Sequence, residues 1–170
     1  AVLEVGSSPG FDYETTTSYT VYVKVADGSN TAYVEGFTIS ITDVNDEDPV
    51  WVTAASQSVE ENTRNVATLS VTDGDAADSN TATYAITTND NSLFEIDSST
   101  LRFVAATGAN FEAPGCGSSS NSCTVVVRAT DANSNTADRT FTISITDEAV
   151  VVTDTSASLA EDAADNAAVV

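Results

Sequence analysis

The chain has 170 residues, of which 26 are acidic, 5 are basic and none is histidine, so its formal net charge at pH 7 is −21. Nucleic acid and anionic membranes are disfavoured as partners, because binding to phosphates requires clustered Lys and Arg, and the five basic residues are scattered. Without histidine the chain cannot form a Ser-His-Asp or Cys-His catalytic arrangement, and we predict that it is not an enzyme.

The predicted elements are β-strands from one end of the chain to the other. Apolar and polar residues alternate over residues 19–25 and 37–41, which is the period of half-buried antiparallel strands. Further strand candidates, separated by turns rich in Asp, Asn, Ser and Gly, are residues 67–72, 83–87, 93–96 and 101–104. This spacing is typical of a β-sandwich. No apolar run approaches the roughly 20 residues of a membrane span, so we expect none in this segment.

An internal repeat organises these strands. The sequence FTISITD occurs at residues 37–43 and again, letter for letter, at 141–147. Upstream, residues 18–27 align with 122–131; downstream, 56–62 align with 156–162, so the Ala-rich tail is predicted to form strands despite its helix propensity. We therefore predict the late part of one repeat with its linker at 1–48, a complete repeat at 49–147, and a linker with the first strands of another repeat at 148–170.

The two cysteines, Cys116 and Cys123, flank a run of Gly, Ser and Asn. Such a run is flexible enough for its ends to meet, which favours a small disulfide-closed loop and an oxidising, extracytoplasmic compartment. The alternative is a pair of free thiols in a mobile loop.

Acidic residues occur as short motifs where strands are predicted to end. These motifs lie at residues 12–14, 26–28, 43–49, 59–62 and 73–80. Hard cations such as Ca²⁺ take six to eight oxygen ligands, and closely spaced Asp and Asn residues in turns supply several from one segment. The alternative for any single motif is a solvated acidic surface.

The order of these motifs resembles that of the cadherin repeat. The matching segments are Glu61-Asn62, Asp73-Gly74-Asp75, Asp12-Tyr13-Glu14, the pair Val25-Ala26-Asp27 and Ala129-Thr130-Asp131, and the linker Asp43-Val44-Asn45-Asp46-Glu47-Asp48-Pro49. The resemblance implies an all-β chain of tandem immunoglobulin-like Greek-key β-sandwiches, that is, cadherin-like repeats. It also implies bound Ca²⁺ where one repeat meets the next.

For the first junction the resemblance implies a rich metal site. Its ligands would be Asp12, Glu14, Asp43, Asn45, Asp46, Glu47, Asp73, Asp75, Asn80 and Asp131. Glu47 stands where the family has Asn, so only its carbonyl oxygen would bind. The second junction is shorter and lacks the linker motif, and a weaker metal site or none is expected there. Its candidate ligands are Glu61, Asn110, Glu112, Asp147, Glu148 and Glu161.

These features together predict a Ca²⁺-stiffened extracellular or cell-surface segment, serving as a stalk or in cell adhesion. Its partners would be neighbouring repeats of the same chain, with homophilic or filament contacts, or a surface glycan or protein receptor, left open. One alternative is a filament or surface-layer subunit that assembles by β-strand donation. Another is a carbohydrate-binding β-sandwich, which would need exposed aromatic residues, whereas Trp51 is expected in the core.

Overall fold

The computed structural model describes residues 3–6, 10–25, 28–29, 33–75, 81–117 and 120–149. The predicted strands of the third repeat, beyond residue 149, lie outside this range. The strands are β1 Ser18–Val25, β2 Tyr33–Ser40, β3 Val50–Trp51, β4 Ser56–Glu60, β5 Asn65–Thr68, β6 Val71–Thr72, β7 Thr83–Asn89, β8 Phe94–Asp97, β9 Thr100–Phe103, β10 Ser122–Thr130 and β11 Thr136–Thr146. A 3₁₀ turn at Asp90–Ser92 joins β7 to β8. The all-β prediction is confirmed.

Strands β3 to β11 build the two layers of a sandwich. One layer has the strand order β4-β11-β10-β7, and the other contains β5-β9-β8 and the short pair β3-β6. Strand β4 runs parallel to β11, from the pair Ser56 and Thr142 to the pair Glu60 and Thr146. All other pairings among the described strands are antiparallel.

The predicted strand at residues 67–72 is broken in two. Strand β5 pairs with β9, whereas β6 pairs with β3. Between them the backbone N–H of Leu69 donates to the carbonyl of Ser99 at 2.7 Å, and the N–H of Ser70 donates to Oγ1 of Thr53 at 2.7 Å. The chain therefore changes its neighbouring strand within the predicted strand, and apolar periodicity alone does not reveal such a change.

The core lies between the two layers and follows the period of two along β10 and β11. Its fully buried apolar side chains include Leu101, Val125, Val127, Phe141 and Ile143. Trp51 packs against this core, with its ring centroid 5.5 Å from that of Phe141, and its Nε1–H donates to the carbonyl of Ala137 at 3.1 Å. Its half-buried position agrees with a core role and not with an exposed aromatic platform.

Strands β1 and β2 form an antiparallel hairpin in which Val21 faces Phe37. They repeat the sequence pattern of β10 and β11, but most of their apolar residues are exposed, Phe37 by 49% and Val25 by 62%. The expectation of half-buried strands is wrong for most of these residues. Among the described residues, only the 3–6 segment and Phe11 line the same apolar groove as Val21 and Ile39.

A disulfide joins Cys116 and Cys123, as predicted, with Cα atoms 5.0 Å apart and both residues buried. The alternative of two free thiols is therefore excluded. Asp90 ties the same loop to the 3₁₀ turn, since its Oδ2 accepts from the backbone N–H of Gly117 at 3.4 Å and of Thr124 at 3.3 Å. The loop is thus fixed to the edge of the core by a covalent and a polar contact.

Removing the disulfide is expected to lower the free energy of unfolding by about 2.5 kcal/mol, because the closed loop restricts the unfolded chain. The paired variant Cys116→Ala/Cys123→Ala and the reduced wild-type protein should show the same loss in urea unfolding followed by Trp51 fluorescence. Reductant added to the paired variant serves as the control and should change nothing. If thiol titration shows that the wild-type disulfide is fully reduced and the urea midpoint is nevertheless unchanged, the predicted loss of stability is contradicted.

Candidate metal site at the first linker

Four separate segments position the candidate ligands that the structure describes. They are the turn at 12–16, the linker between β2 and β3, the loop that follows β6, and the turn between β10 and β11. In the 12–16 turn, both carboxylate oxygens of Asp12 accept from Thr15, one from its backbone N–H at 2.8 Å and one from its hydroxyl at 2.9 Å. Asp12 thus stabilises the turn that carries Glu14.

The side chains of Glu14, Asp43 and Asp75 converge. Each offers a carboxylate oxygen, and these oxygens all lie within 4.8 Å of one another. Glu14 is exposed, Asp43 is half-buried and Asp75 has no exposed surface at all. Three like charges at this separation repel one another, most strongly around the buried member.

The backbone around Asp75 fixes its carboxylate in the cluster. The N–H of Glu47 donates to Oδ2 of Asp75 at 3.0 Å, and the N–H of Asp75 donates to Oδ1 of Asp73 at 3.1 Å. Gly74, between them, packs so closely that a Cβ there would lie 3.3 Å from Cγ of Glu47. The D-G-D sequence therefore lets the loop approach the linker while it presents two carboxylates.

Several carboxylate oxygens at this place are buried without a hydrogen-bond partner among the described residues. They are Oδ1 of Asp43, Oδ2 of Asp73 and Oδ1 of Asp75. Buried polar atoms are nearly always paired, and an unpaired buried carboxylate oxygen is costly. A cation among these oxygens would offset that cost.

Electrostatic crowding also acts on the exposed member of the cluster. A hydrogen bond from its own backbone N–H lowers the pKa of Glu14, but desolvation and the charges of Asp75, Asp43 and Asp46 together raise this pKa above its ordinary value. Asp46 therefore lies close enough to belong to the site. Asp12, Glu14, Asp46 and Glu47 line one cleft of about 220 Å³.

Asp131 and Asn45 are held by hydrogen bonds within and to the turn between β10 and β11. Asp131, only 8% exposed, accepts at Oδ1 from the backbone N–H groups of Asn133 at 2.9 Å and Asn135 at 2.7 Å. Desolvation raises the pKa of Asp131, but its hydrogen bonds from Asn135, Asn133 and Ser134 outweigh this and lower it. The carbonyl of Asn45 accepts from Nδ2 of Asn133 at 2.8 Å.

A second acidic cluster forms at the other end of the sandwich, from Glu61, Glu112 and Asp147. Both oxygens of Glu61 accept backbone N–H groups, from Glu148 at 3.0 Å and from Phe111 at 3.4 Å. The bond from Glu148 is the largest influence and lowers the pKa of Glu61, against desolvation. Among the described residues of this cluster, none has a buried carboxylate oxygen without a partner.

The structure thus groups the sequence-predicted ligands unevenly. Glu14, Asp43 and Asp75 meet directly, with Asp46, Asp73 and Glu47 beside them, while Asp12 shares the cleft but is bonded to Thr15. Of the ligands predicted for the second junction, Glu148 accepts from Asn62 at 2.9 Å, and Asn110 accepts from the backbone N–H of Ala113 at 2.7 Å. Asn80 and Glu161 lie outside the described residues.

Sequence reasoning missed Asn133 and Asn135, whose side chains reach the linker. The only signal for them is the run of polar residues that follows Asp131.

No family model matches the chain, and no curated protein matches it either. Solved structures do match. The extracellular cadherin domains 1–4 of Protocadherin Gamma B7 align with a TM-score of 0.63 and 21% identity, over 81% of this chain and 34% of that one. The chain has a cadherin-like fold.

Two further solved structures carry the same cadherin-like fold. Drosophila N-cadherin EC1-4 aligns with a TM-score of 0.61 and 19% identity, over 79% of this chain and 36% of that one. Mouse clustered PcdhgC3 EC1-3 aligns with a TM-score of 0.58 and 20% identity, over 82% and 46%. The chain therefore spans less than half the length of these solved chains.

The cadherin-like fold confirms the fold class predicted from the motif order. Within the described part of the chain, no helix has the length and apolar character needed to cross a membrane.

Proposed function

We propose that the chain is a Ca²⁺-binding, extracellular cadherin-like segment that serves cell adhesion or forms the stalk of a large surface protein. The observation that carries the proposal is the set of buried, unpartnered carboxylate oxygens on Asp43, Asp73 and Asp75. These atoms belong to two segments that are distant in sequence, so a cation that paired with them would tie the linker to the loop after β6.

The donor set favours a hard cation. Carboxylates and backbone carbonyls are the ligands that Ca²⁺ prefers, whereas zinc and copper sites are built from His and Cys. The chain has no histidine, and both of its cysteines are in the disulfide. Ca²⁺ also tolerates irregular coordination by six to eight oxygens, which suits ligands from separate, irregular segments better than the strict octahedron of Mg²⁺.

The bound ion would act mechanically. Glu14 precedes the β1–β2 hairpin, Asp43 follows it, and Asp75 belongs to the sandwich. An ion held by all three would neutralise their repulsion and fix the hairpin unit against the sandwich. On this proposal the units are residues 1–48, 49–147 and 148–170, the partners are neighbouring repeats of one chain, and the second junction is looser because Glu61 is already hydrogen-bonded.

An extracellular location follows from the same physics. Extracellular Ca²⁺ modules bind at about 10⁻⁴ to 10⁻³ M, so cytosolic Ca²⁺ would leave such a site empty. The buried disulfide is also typical of an oxidising compartment.

Calcium titration tests the function. Raising Ca²⁺ to about 100 times its dissociation constant should stabilise the protein by about 2.7 kcal/mol, seen as a rising melting temperature. Mg²⁺ at equal concentration is the control for ionic strength and should have much less effect. Identical melting temperatures in chelator and in Ca²⁺ at a concentration on the order of 10 mM would refute the proposed function.

A further inference from the structure

The side chain of Asn135 connects two of the ligands predicted for the first junction, which is called the first joint below. It lies half-buried in the turn between β10 and β11. Its Nδ2 donates to Oδ1 of Asn45 at 2.8 Å and to Oδ2 of Asp131 at 2.9 Å. One amide group thus bridges the linker and the sandwich, and we refer to Asn45, Asp131 and Asn135 as the amide clasp.

The turn itself holds this amide in place. The backbone N–H of Asp131 donates to the carbonyl of Asn135 at 3.1 Å, and the N–H of Asn135 returns a bond to Oδ1 of Asp131 at 2.7 Å. Asn133 adds a second strap, from its Nδ2 to the carbonyl of Asn45 at 2.8 Å. Six hydrogen bonds therefore order this short turn and the linker beside it, and the Asn135 amide itself makes two of them.

The amide and a cation would compete for the same place. Ca²⁺ bound to Oδ1 of Asn45 and Oδ2 of Asp131 would sit between them, 2.3 to 2.6 Å from each oxygen. That place is filled by Nδ2 of Asn135, which donates to both of these oxygens and so uses both of its amide hydrogens. Asn135 donates no such bond to the carboxylate oxygens of Glu14, Asp43 and Asp75 in the described part of the chain. Two oxygens of that cluster, Oδ1 of Asp43 and Oδ1 of Asp75, are buried without a hydrogen-bond partner.

We propose that the Asn135 amide takes the place of a cation between Asn45 and Asp131, so that the first joint binds Ca²⁺ only on the side of Glu14, Asp43 and Asp75. The inference rests on the proposed Ca²⁺ function and sets the number of ions that the joint holds. Its physical consequence is a joint with one metal-dependent side and one side held by hydrogen bonds at any Ca²⁺ concentration.

The variant Asn135→Ala removes the amide and keeps the backbone of the turn. It is expected to bind one more Ca²⁺ per chain than the wild type, measured by isothermal titration calorimetry and checked by equilibrium dialysis. Asn133→Ala is the matched control, because it removes the side-chain amide that donates to the carbonyl of Asn45 and keeps the backbone N–H that donates to Oδ1 of Asp131. Its ion count should equal that of the wild type. Circular dichroism establishes that both variants fold.

A second variant keeps the inference testable if the turn loosens. Asn135→Asp replaces the donor with a second carboxylate beside that of Asp131, and it should lower the melting temperature in chelator while increasing the rise produced by Ca²⁺. An ion count that is the same in Asn135→Ala and in a Ca²⁺-binding wild type overturns the inference and leaves the proposed function intact. A wild type that binds none, with Asn135→Ala binding one, refutes the native function but supports the clasp; no binding in either refutes both.

Discussion

Replacing Asp75 with asparagine is expected to abolish most of the stabilisation that Ca²⁺ gives this protein. Asp75 is the only fully buried member of the carboxylate cluster, and its Oδ1 has no partner among the described residues. Asparagine has nearly the same shape but lacks the charge that a divalent ion must neutralise. The stabilisation that Ca²⁺ gives Asp75→Asn, obtained from melting in chelator and in Ca²⁺, should be much smaller than the roughly 2.7 kcal/mol expected for the wild type.

The same substitution should not harm the metal-free protein. The N–H of Glu47 still finds an acceptor in the amide oxygen, and the repulsion between Asp75, Glu14 and Asp43 is reduced. In chelator, Asp75→Asn is therefore expected to unfold at the same temperature as the wild type or at a higher one. This sign separates a metal ligand from an ordinary buried residue, since a purely structural aspartate would lose stability in both conditions.

Glu61→Gln is the matched control at the second cluster. Glu61 also lies within 4.8 Å of two other acids, but its oxygens accept the backbone N–H groups of Glu148 and Phe111. Its Ca²⁺-dependent shift should stay close to that of the wild type. If Glu61→Gln lost the shift and Asp75→Asn kept it, the principal ion would belong to the second cluster.

The strands could be predicted from sequence where each face has a constant environment. Along β10 and β11 the alternation of apolar and polar residues matches the burial of Val125, Val127 and Phe141. For β1 and β2 the same alternation predicted burial that the structure does not show, because burial depends on a covering sheet that the described residues do not supply. The break between β5 and β6 escaped for a related reason, since strand partners are a tertiary property.

The candidate site was predictable as a set of acids but not as a geometry. The motif order placed Glu14, Asp43 and Asp75 on one list of ligands, and the structure brings their oxygens together. The motif order did not show that Asn135 would bridge two other predicted ligands, Asn45 and Asp131, because that contact depends on the conformation of one turn. Short polar turns carry little periodicity, so sequence patterns reveal their presence and not their contacts.

One glycine outside the acidic motifs also determines the shape of the second cluster. Gly108 has a φ of +83° and lies against the backbone that follows Glu61. The next residue, Ala109, donates its N–H to the carbonyl of Thr63 at 3.0 Å and accepts from the N–H of Asn62 at 2.9 Å. The 105–109 turn therefore pairs with the 62–63 segment at the closest distance that a backbone without a Cβ allows.

Gly108→Ala is accordingly expected to cost about 3 kcal/mol or more of unfolding free energy. A Cβ there would lie 2.5 Å from both the carbonyl carbon and the oxygen of Thr63, and backbone atoms in a paired segment cannot move aside. The left-handed conformation alone costs alanine roughly 1 to 2 kcal/mol, which is the part that a control must isolate.

Gly115→Ala provides that control. Its φ is +70°, but its added Cβ would meet only the Leu93 side chain, 3.1 Å from Cδ2, and a leucine side chain can rotate away. Urea unfolding followed by Trp51 fluorescence should therefore give a loss near the conformational cost for Gly115→Ala and a clearly larger one for Gly108→Ala. Equal losses would mean that the 62–63 segment yields to the new methyl group, and the backbone pairing that orders Glu61 would then be weaker than these distances imply.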